Sequence, residues 1–260
     1  MLQTIIKAAL LAGKEIMEIY VKEDFDVGFK NDNSPLTNAD IRSHEIIMEL
    51  LKKTNIPVLS EEGKNIPYEE RKNWKKLWIV DPIDGTKEFI KRNGEFTVNI
   101  ALVEDQVPIM GVIYAPALQT LYYGSGNQAF KIENVTIENY NDQIKNAQLL
   151  PVQTNTNGRQ KITVVASKSH LSGETMQYID SLRIEYDEVT TISKGSSLKL
   201  CMVAEGSAQQ YPRFAPTMEW DTAAGQAICT SAGFDVVDMN TEKTMTYNRL
   251  NLLNNWFLVK

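Results

Sequence analysis

An apolar segment that ends in two closely spaced aspartates constrains this chain more than any other sequence feature. Trp78-Ile79-Val80 leads into Asp81, and Pro82 and Asp84 follow before Gly85-Thr86. The apolar residues predict a strand, and we expect it to stop at Pro82, which has no N–H to donate to a ladder. Two carboxylates separated by a proline-containing turn can converge on one point.

This arrangement indicates a specific chemistry. Carboxylates, together with the Ile83 carbonyl between them, are hard oxygen ligands of the kind that suits Mg²⁺ or Mn²⁺. Gly85-Thr86 would open a short helix whose first N–H groups can meet an anion. Carboxylates for a metal beside N–H groups for a phosphate are what phosphoryl chemistry needs. For Asp81 or Asp84 taken alone, the alternative is a solvated residue at a strand-to-turn junction.

Two further acidic positions follow the same logic. Val58-Leu59-Ser60 predicts an apolar strand that ends at Glu61, although an exposed acidic turn is the alternative there. Asp221 stands at the predicted start of a helix, where the alternative role is an N-cap worth about 1 kcal/mol. Capping and metal ligation do not exclude each other. The small residues Ala223-Ala224-Gly225 predict that this helix approaches a neighbour closely.

The N-terminal half, residues 1–145, has the pattern of an α+β unit. Helical spacing of apolar residues predicts a helix over residues 1–22 and a second over 39–53, with Asn38 as the N-cap. Short strand-like segments then follow closely between residues 57 and 132, and brief turns between them favour antiparallel pairing.

The C-terminal half, residues 146–260, has a different pattern. A polar connection over residues 141–158 precedes it, and strands then alternate with helices, which is typical of α/β structure. One of these predicted strands covers residues 183–188. The whole chain is therefore predicted to be a layered α/β protein.

Composition narrows the function classes. The 260 residues carry 27 Lys and Arg against 33 Asp and Glu, a net charge of −6, which argues against a general nucleic-acid binder. Two cysteines make no disulfide scaffold and fit a reducing compartment, so we expect a cytoplasmic protein. Every apolar run is far shorter than the roughly 18 residues of a spanning helix. Peripheral attachment to the cytoplasmic face of a membrane stays open, and oligomeric state is not indicated.

Taken in order, four motifs resemble those of the inositol monophosphatase family of lithium-sensitive, magnesium-dependent phosphatases. They are Lys30-Asn31-Asp32-Asn33-Ser34-Pro35-Leu36-Thr37-Asn38-Ala39-Asp40, Ser60-Glu61-Glu62, Asp81-Pro82-Ile83-Asp84-Gly85-Thr86 and Trp220-Asp221-Thr222-Ala223-Ala224-Gly225. The resemblance implies the layered αβαβα sandwich that this family shares with the fructose-1,6-bisphosphatases.

Within the family the chain looks most like the bacterial 3′(2′),5′-bisphosphate nucleotidases. The segments that carry this likeness are Gly195-Ser196-Ser197-Leu198-Lys199, Val203-Ala204-Glu205-Gly206, Tyr211-Pro212-Arg213 and Pro216 to Gly225. The likeness implies removal of the 3′-phosphate of 3′-phosphoadenosine 5′-phosphate, giving AMP and phosphate during sulfate assimilation. An inositol monophosphatase or a sugar-phosphate phosphatase of the same fold is one alternative. A non-catalytic phosphate- or nucleotide-binding protein is another.

The resemblance also implies a set of metal ligands. Glu61, Asp81 and the Ile83 carbonyl would hold one Mg²⁺, and Asp81, Asp84 and Asp221 would hold a second, with Asp81 bridging the two. A third ion is compatible with the family pattern, and Mn²⁺ is a candidate substitute.

The implied catalytic residues are Asp40, Glu61 and Thr86. Thr86 would orient the attacking water while Asp40 polarises its hydroxyl, and either Glu61 or a third ion would help to deprotonate that water. The backbone N–H groups of Gly85 and Thr86 would hold the phosphate.

Substrate contacts form the last implied set. A second phosphate needs its own cation, and Lys199 and Arg213 are the candidates, with ordinary surface charge as the alternative. Ser196 belongs to the same motif. His170 would bind a phosphate or lie near the base, and a structural or solvated histidine is the alternative. Glu61, Ile83, Asp84, Gly85, Thr86 and Asp221 complete the predicted substrate-binding set.

Overall fold

The computed structural model describes residues 1–22, 27–29, 35–152, 160–167 and 171–260. The helices are α1 (Leu2–Lys22), α2 (Asn38–Leu51), α3 (Tyr68–Arg71), α4 (Thr86–Ile90), α5 (Tyr140–Gln143), α6 (Gly173–Leu182), α7 (Leu198–Ala204) and α8 (Glu219–Ser231). The strands are β1 (Val27–Phe29), β2 (Pro35–Thr37), β3 (Val58–Ser60), β4 (Lys76–Asp84), β5 (Thr97–Glu104), β6 (Val107–Ala115), β7 (Thr120–Ser125), β8 (Gln128–Ile132), β9 (Gln148–Leu149), β10 (Lys161–Ala166), β11 (Glu188–Ser193), β12 (Tyr211–Arg213), β13 (Val236–Asp238), β14 (Lys243–Thr244) and β15 (Phe257–Val259). Short 3₁₀ turns cover Lys52–Thr54, Pro116–Leu118 and Ile144–Asn146.

A seven-stranded sheet in the order β3-β4-β5-β6-β7-β8-β9 forms the centre of the fold. The strands from β4 to β9 pair with antiparallel neighbours, because brief turns connect most of them, and the predicted antiparallel pairing is confirmed there. The pair β3 and β4 is parallel, since the chain crosses over through α3 between them. The carboxyl ends of β3 and β4 therefore lie at the same edge of the sheet.

Both faces of this sheet are buried. Along β4, Trp78 and Val80 pack towards α1 and α2, whereas Leu77 and Ile79 pack towards α7 and α8. The second of these cores continues into the smaller sheets β10-β11 and β12-β15-β13-β14, and α6 covers the outer face of β10. The order of layers is helix, sheet, helix, sheet, helix. The predicted layered αβαβα sandwich is confirmed.

Helix α8 lies unusually close to the central sheet and to α7. A Cβ built on Gly111 of β6 would lie 2.4 Å from the Ala224 carbonyl oxygen, and one built on Gly225 would lie 2.4 Å from the Leu200 Cδ1 atom. The prediction that the small residues of this segment permit close approach is confirmed. This contact fixes the depth at which the start of α8 meets the edge of the sheet.

The prediction that Pro82 ends its strand is wrong. β4 continues to Asp84, with Asp81 opposite Asn99 and Asp84 opposite Thr97 on β5. Three steps along β4 therefore match two along β5, and one residue bulges out. The missing N–H of Pro82 falls within this bulge, where the ladder is already interrupted.

Two further predictions need correction. The N-cap of α2 is Thr37 in extended backbone, not Asn38, which is the first helical residue. The segment predicted as a strand over residues 183–188 instead begins with turns that extend α6, and the strand runs over Glu188–Ser193. That strand starts at Glu188 because parallel pairing sets Glu188 opposite Lys161.

The division of the chain at residues 145 and 146 stays a prediction. In the described residues no helix is both long and apolar enough to cross a membrane.

The tight contact beneath α8 yields a stability prediction. We expect Gly111→Ala to lower the free energy of unfolding by about 2 kcal/mol or more, because the added methyl group would meet a backbone oxygen that cannot rotate away. Gly173→Ala is the matched control, since a Cβ there meets nothing within 4 Å. Urea unfolding of both variants checks the prediction. Equal unfolding midpoints for the two variants would contradict it.

Candidate active site

Two aspartates of β4 and a third from the start of α8 meet at the carboxyl end of β4. One carboxylate oxygen from each of Asp81, Asp84 and Asp221 lies within 4.8 Å of the others. Asp81 is buried, and the other two are partly buried. The structure thus brings together the three aspartates that the sequence assigned to metal binding.

Local geometry turns each of these aspartates towards the common point. The Ile83 N–H donates to the Asp81 Oδ1 atom at 3.1 Å, which tightens the bulge of β4. Gly85 follows with φ +93°, a left-handed conformation that suits glycine, and α4 begins directly after it. At the start of α8 the Met218 N–H donates to the Asp221 Oδ2 atom at 2.8 Å. Asp221 is therefore the third helical residue rather than the N-cap.

Buried Glu219 anchors the start of α8 from the opposite side. Its carboxylate accepts hydrogen bonds from the Asn248 N–H at 2.6 Å, from the Arg249 N–H at 3.1 Å and from the Arg249 Nε–H at 3.1 Å. These contacts tie the first turn of the helix to the segment before β15. The first turn of α8, which contains Asp221, is therefore fixed by the bond from the Met218 N–H and by the bonds that Glu219 accepts.

Glu61 lies next to Asp81 because of the parallel pairing of β3 and β4. The Glu61 N–H donates to the Val80 carbonyl at 3.1 Å, which extends that pairing by one residue. The carboxyl group of Glu61 is close enough to Asp81 to raise its pKa. Glu61 thus joins the acidic group from a neighbouring strand, as the sequence predicted.

The protonation equilibria of this group show a shortage of positive charge. Burial raises the pKa of Asp81 well above its usual range, and repulsion by Glu61 and Asp84 adds to the effect. Burial and the Asp84 charge likewise raise the pKa of Asp221. Burial raises the pKa of Asp84 too, although nearby Lys199 opposes the shift. Oxygen ligands that are crowded, dehydrated and undercompensated fit a divalent cation.

Thr86 and Asp40 form the predicted pair beside this group. The Thr86 Oγ1 hydroxyl lies 3.2 Å from the Asp40 Oδ1 atom and 3.4 Å from the Ile83 carbonyl oxygen. The other oxygen of Asp40 accepts the Thr37 N–H at 2.7 Å and the Thr37 hydroxyl at 2.6 Å. Asp40 is therefore held in place by Thr37 at the start of α2. The Thr86 hydroxyl donates its proton to Asp40 or to the Ile83 carbonyl.

Lys199 and Arg213 form a basic wall of the cavity that the acidic group also lines. Buried Lys199 donates to the Lys194 carbonyl at 3.2 Å and to the Ser196 carbonyl at 2.5 Å, and burial lowers its pKa to about 8. Arg213 is also buried and donates through Nη2 to the Pro216 carbonyl at 2.9 Å. Its buried Nε–H has no hydrogen-bond partner within the described part of the chain. Such a donor is suited to an incoming anion.

A cavity of about 930 Å³ is lined by residues of both the acidic group and the basic wall. The predicted site residues that line it are Glu61, Asp84, Gly85, Thr86, Ser196, Lys199, Arg213 and Asp221. Asp40 and Asp81 are buried beside the lining residues, and the Ile83 carbonyl accepts from Thr86. His170 lies outside the described residues.

Sequence reasoning missed a hydroxyl network beneath the cavity. Thr97 Oγ1 lies 2.8 Å from Ser196 Oγ and 2.7 Å from Ser197 Oγ, and the Asn99 side-chain oxygen accepts from Thr97 and Ser197. Two polar residues alternating along the otherwise apolar strand β5 were the available signal. Their partners, however, lie about a hundred residues away along the chain.

Fold and site together define a class of protein. A layered α/β sandwich carries an acidic, oxygen-only group beside a strand-to-helix turn, and basic side chains line the same cavity. This is the arrangement of metal-dependent enzymes that act on phosphate esters.

Comparison with known proteins gives the family. The sequence profile of the inositol monophosphatase family matches residues 1–258, and the chain belongs to that family of metal-dependent phosphatases. It is 45% identical over 263 residues to the 3′(2′),5′-bisphosphate nucleotidase CysQ of Salmonella typhimurium, covering 100% of this chain and 99% of that protein.

Solved structures agree with this placement. The crystal structure of CysQ from Bacteroides thetaiotaomicron is similar with a TM-score of 0.86 and 49% identity, over 99% of this chain and 96% of that one. An IMPase of Thermotoga maritima shares the fold, with a TM-score of 0.74 and 21% identity over 100% of this chain and 91% of that one.

The crowded carboxylates yield a prediction about stability and metal. Because the folded-state pKa of Asp81 is raised, its charge costs stability as the pH rises from the unfolded value, about 4, through the folded value. We expect Asp81→Asn to raise the melting temperature of the chelator-treated protein at pH 7, and to do so less at pH 5. Added Mg²⁺ should stabilise the wild type more than the variant, which lacks a ligand.

Thermal melts with EDTA or Mg²⁺ check this prediction. Asp105→Asn is the matched control, since it makes the same chemical change in an exposed turn between β5 and β6. A Mg²⁺-dependent gain of equal size in wild type and Asp81→Asn would contradict the assignment of Asp81 as a metal ligand.

Proposed function

We propose that this chain is a Mg²⁺-dependent 3′(2′),5′-bisphosphate nucleotidase that converts 3′-phosphoadenosine 5′-phosphate and water to AMP and phosphate. The carrying observation is one cavity with a metal-type carboxylate group on one wall and Lys199 and Arg213 on the other. A substrate with two phosphates would place its reacting phosphate at the carboxylate group and its second phosphate at Lys199 and Arg213. Full-length similarity to proteins named as such nucleotidases supports the same choice.

The acidic wall would hold the metal ions. Glu61, Asp81 and the Ile83 carbonyl would bind one Mg²⁺, and Asp81, Asp84 and Asp221 a second, with Mn²⁺ as a substitute and room in the proposal for a third ion. When bound, such cations offset charge on the phosphoryl oxygens and favour deprotonation of a nearby water. The crowding of these carboxylates, which also helps to raise the pKa values of Asp81 and Asp221, is the physical reason that this wall would attract cations.

Thr86 would orient the attacking water. Its hydroxyl proton is directed to Asp40 or to the Ile83 carbonyl, so its oxygen lone pairs stay available to accept a hydrogen bond from that water. Asp40 cannot turn away, because its second oxygen is occupied by Thr37. Glu61, which lines the cavity, or a third ion is the proposed aid to deprotonation of that water.

The scissile 3′-phosphate would lie against Gly85 and Thr86 at the start of α4. Both residues line the cavity, and their backbone N–H groups are the proposed donors to the phosphoryl oxygens. The water oxygen forms a bond to phosphorus and the bond from phosphorus to the ribose 3′-oxygen breaks. One proton from the water ends on that 3′-oxygen, so atoms and charge balance.

The 5′-phosphate would lie on the basic wall. Lys199 has two of its three ammonium protons directed to loop carbonyls, which leaves one for a ligand. Arg213 contributes a buried Nε–H that has no partner within the described residues. Ser196 lines the cavity on the same basic side. His170 remains a proposed nucleotide contact.

We further propose that the protein acts in the cytoplasm, where it would recycle the nucleotide product of sulfate assimilation.

The direct test is phosphate release from 3′-phosphoadenosine 5′-phosphate and from inositol 1-phosphate, each with Mg²⁺ and with or without lithium. We expect faster, lithium-sensitive release from the nucleotide. Asp81→Asn should lower kcat by about a thousandfold or more, a loss of about 4 kcal/mol of transition-state stabilisation. Asp105→Asn again serves as the control.

Each contrary outcome has a definite meaning. Faster release from inositol phosphate would replace the nucleotidase by an inositol monophosphatase of the same fold. Tight nucleotide binding without phosphate release would indicate a non-catalytic binding protein. Turnover retained in Asp81→Asn would remove the proposed metal chemistry.

The basic wall yields a selectivity prediction. We expect Lys199→Met and Arg213→Met to raise KM for the bisphosphate by about tenfold, the loss of about 1.4 kcal/mol of binding. KM for adenosine 3′-phosphate, which lacks the second phosphate, should change little. Lys53→Met, at an exposed position, is the control. An unchanged ratio of the two Michaelis constants would show that this wall does not read the second phosphate.

A further inference from the structure

The loop over residues 193–197 forms the basic side of the cavity, and its Ser193-Lys194 pair has no role in the function described so far. We propose that Glu95 is a positioning residue that holds this loop, and through it the Lys199 ammonium, in the place where a second phosphate binds. This inference rests on the proposed nucleotidase function. Glu95 itself lies between α4 and β5, in the other half of the chain.

The carboxylate of Glu95 grips the loop with both oxygens. Its Oε2 atom accepts the Gly195 N–H at 2.8 Å, and its Oε1 atom accepts the Lys194 ammonium at 3.1 Å. A partly exposed ion pair alone adds little stability. The bond to a backbone N–H is different, because it fixes the position of the main chain, and its charged acceptor strengthens it.

The loop has almost no space to shift towards Glu95. A Cβ built on Gly195 would lie 2.8 Å from the Glu95 carbonyl oxygen and 2.9 Å from the Glu88 Cγ atom. A residue with a side chain at position 195 would therefore push the loop away. Glycine lets the two backbones approach until the carboxylate reaches the Gly195 N–H.

The next residue shows why the loop needs to be held. Ser196 has φ +49°, a left-handed conformation that costs energy for a residue other than glycine. Such a conformation persists when surrounding contacts fix it. Glu95 supplies contacts on one side of Ser196, and Thr97, two residues later on the same segment, supplies the contact to its hydroxyl.

The same loop places the Lys199 ammonium. Lys199 donates to the carbonyls of Lys194 and Ser196, which flank the Gly195 that Glu95 holds. Within this loop, Glu95 therefore accepts a hydrogen bond from one backbone N–H, and Lys199 donates hydrogen bonds to two backbone carbonyls. If Glu95 releases the loop, the carbonyls that orient the ammonium move as well. Glu95, which also lines the cavity, thus acts on the second phosphate through the loop and Lys199.

This chain of contacts predicts a specific kinetic signature. Loss of Glu95 should weaken ground-state binding of the second phosphate and leave the reacting phosphate in place. We expect Glu95→Ala to raise KM for 3′-phosphoadenosine 5′-phosphate by roughly five- to tenfold while kcat stays within about twofold. Both constants for adenosine 3′-phosphate should stay near their wild-type values.

Two variants separate the contacts of Glu95. Lys194→Met removes the ion pair but keeps the bond from the Gly195 N–H, so it should shift KM less than Glu95→Ala. Glu104→Gln is the matched control, since it breaks a 3.0 Å ion pair with Lys76 at the far end of β4 and β5. It should leave all constants unchanged.

Hydrogen exchange supplies a readout that does not depend on activity. The peptide that contains Gly195 should exchange faster in Glu95→Ala than in wild type, while peptides of α8 stay protected as before. Together with the selective rise in KM, this result would support the proposal. Unchanged exchange of that peptide, an unchanged ratio of Michaelis constants, or an equal loss for both substrates would each overturn it.

The outcome is distinguishable from failure of the proposed function. If the wild type released no phosphate from the bisphosphate, the nucleotidase proposal would fail on the wild-type assay alone. Calorimetric binding of AMP to wild type and Glu95→Ala would then test the same contact. Equal affinities, with equal exchange of the Gly195 peptide, would overturn the role of Glu95 independently.

Discussion

Repulsion among buried carboxylates at the end of β4 is the constraint on which the rest of the structure depends. Asp81, Asp84 and Asp221 are crowded within 4.8 Å, and burial raises the pKa of each. Such a group is unfavourable in a protein interior unless a cation joins it. The bulge of β4, the close approach of α8 and the anchor at Glu219 all hold these charges together. The folded protein therefore carries an unfavourable electrostatic free energy, which metal binding would lower.

The opposite wall is built from the other half of the chain and is held by different forces. Lys199 lies close enough to Asp84 to oppose the rise in its pKa, so the two walls are electrostatically connected. The geometry of that wall, however, depends on a strained loop that Glu95 and Thr97 hold from the first half.

Much of the fold and of the acidic site could be predicted because the signals are local. A buried strand ending in acids needs no distant information, and neither does a run of small residues such as Ala223-Ala224-Gly225. The wrong predictions concern features that depend on pairing with a distant strand. Pro82 is tolerated inside β4 because a bulge interrupts the ladder with β5. The strand placed over residues 183–188 was displaced because pairing with β10 sets its start at Glu188.

The sequence by itself determined the layered α/β class, the oxygen character of the site and the identity of its aspartates, since each follows from short segments and residue chemistry. Only the tertiary structure decided that Thr97 meets the hydroxyls of Ser196 and Ser197 and that Glu95 holds the backbone of the Lys194-Gly195 loop. Those relations join positions that a single chain read in order leaves far apart. Strand pairing and close packing bring them into contact, and neither is encoded by any one segment.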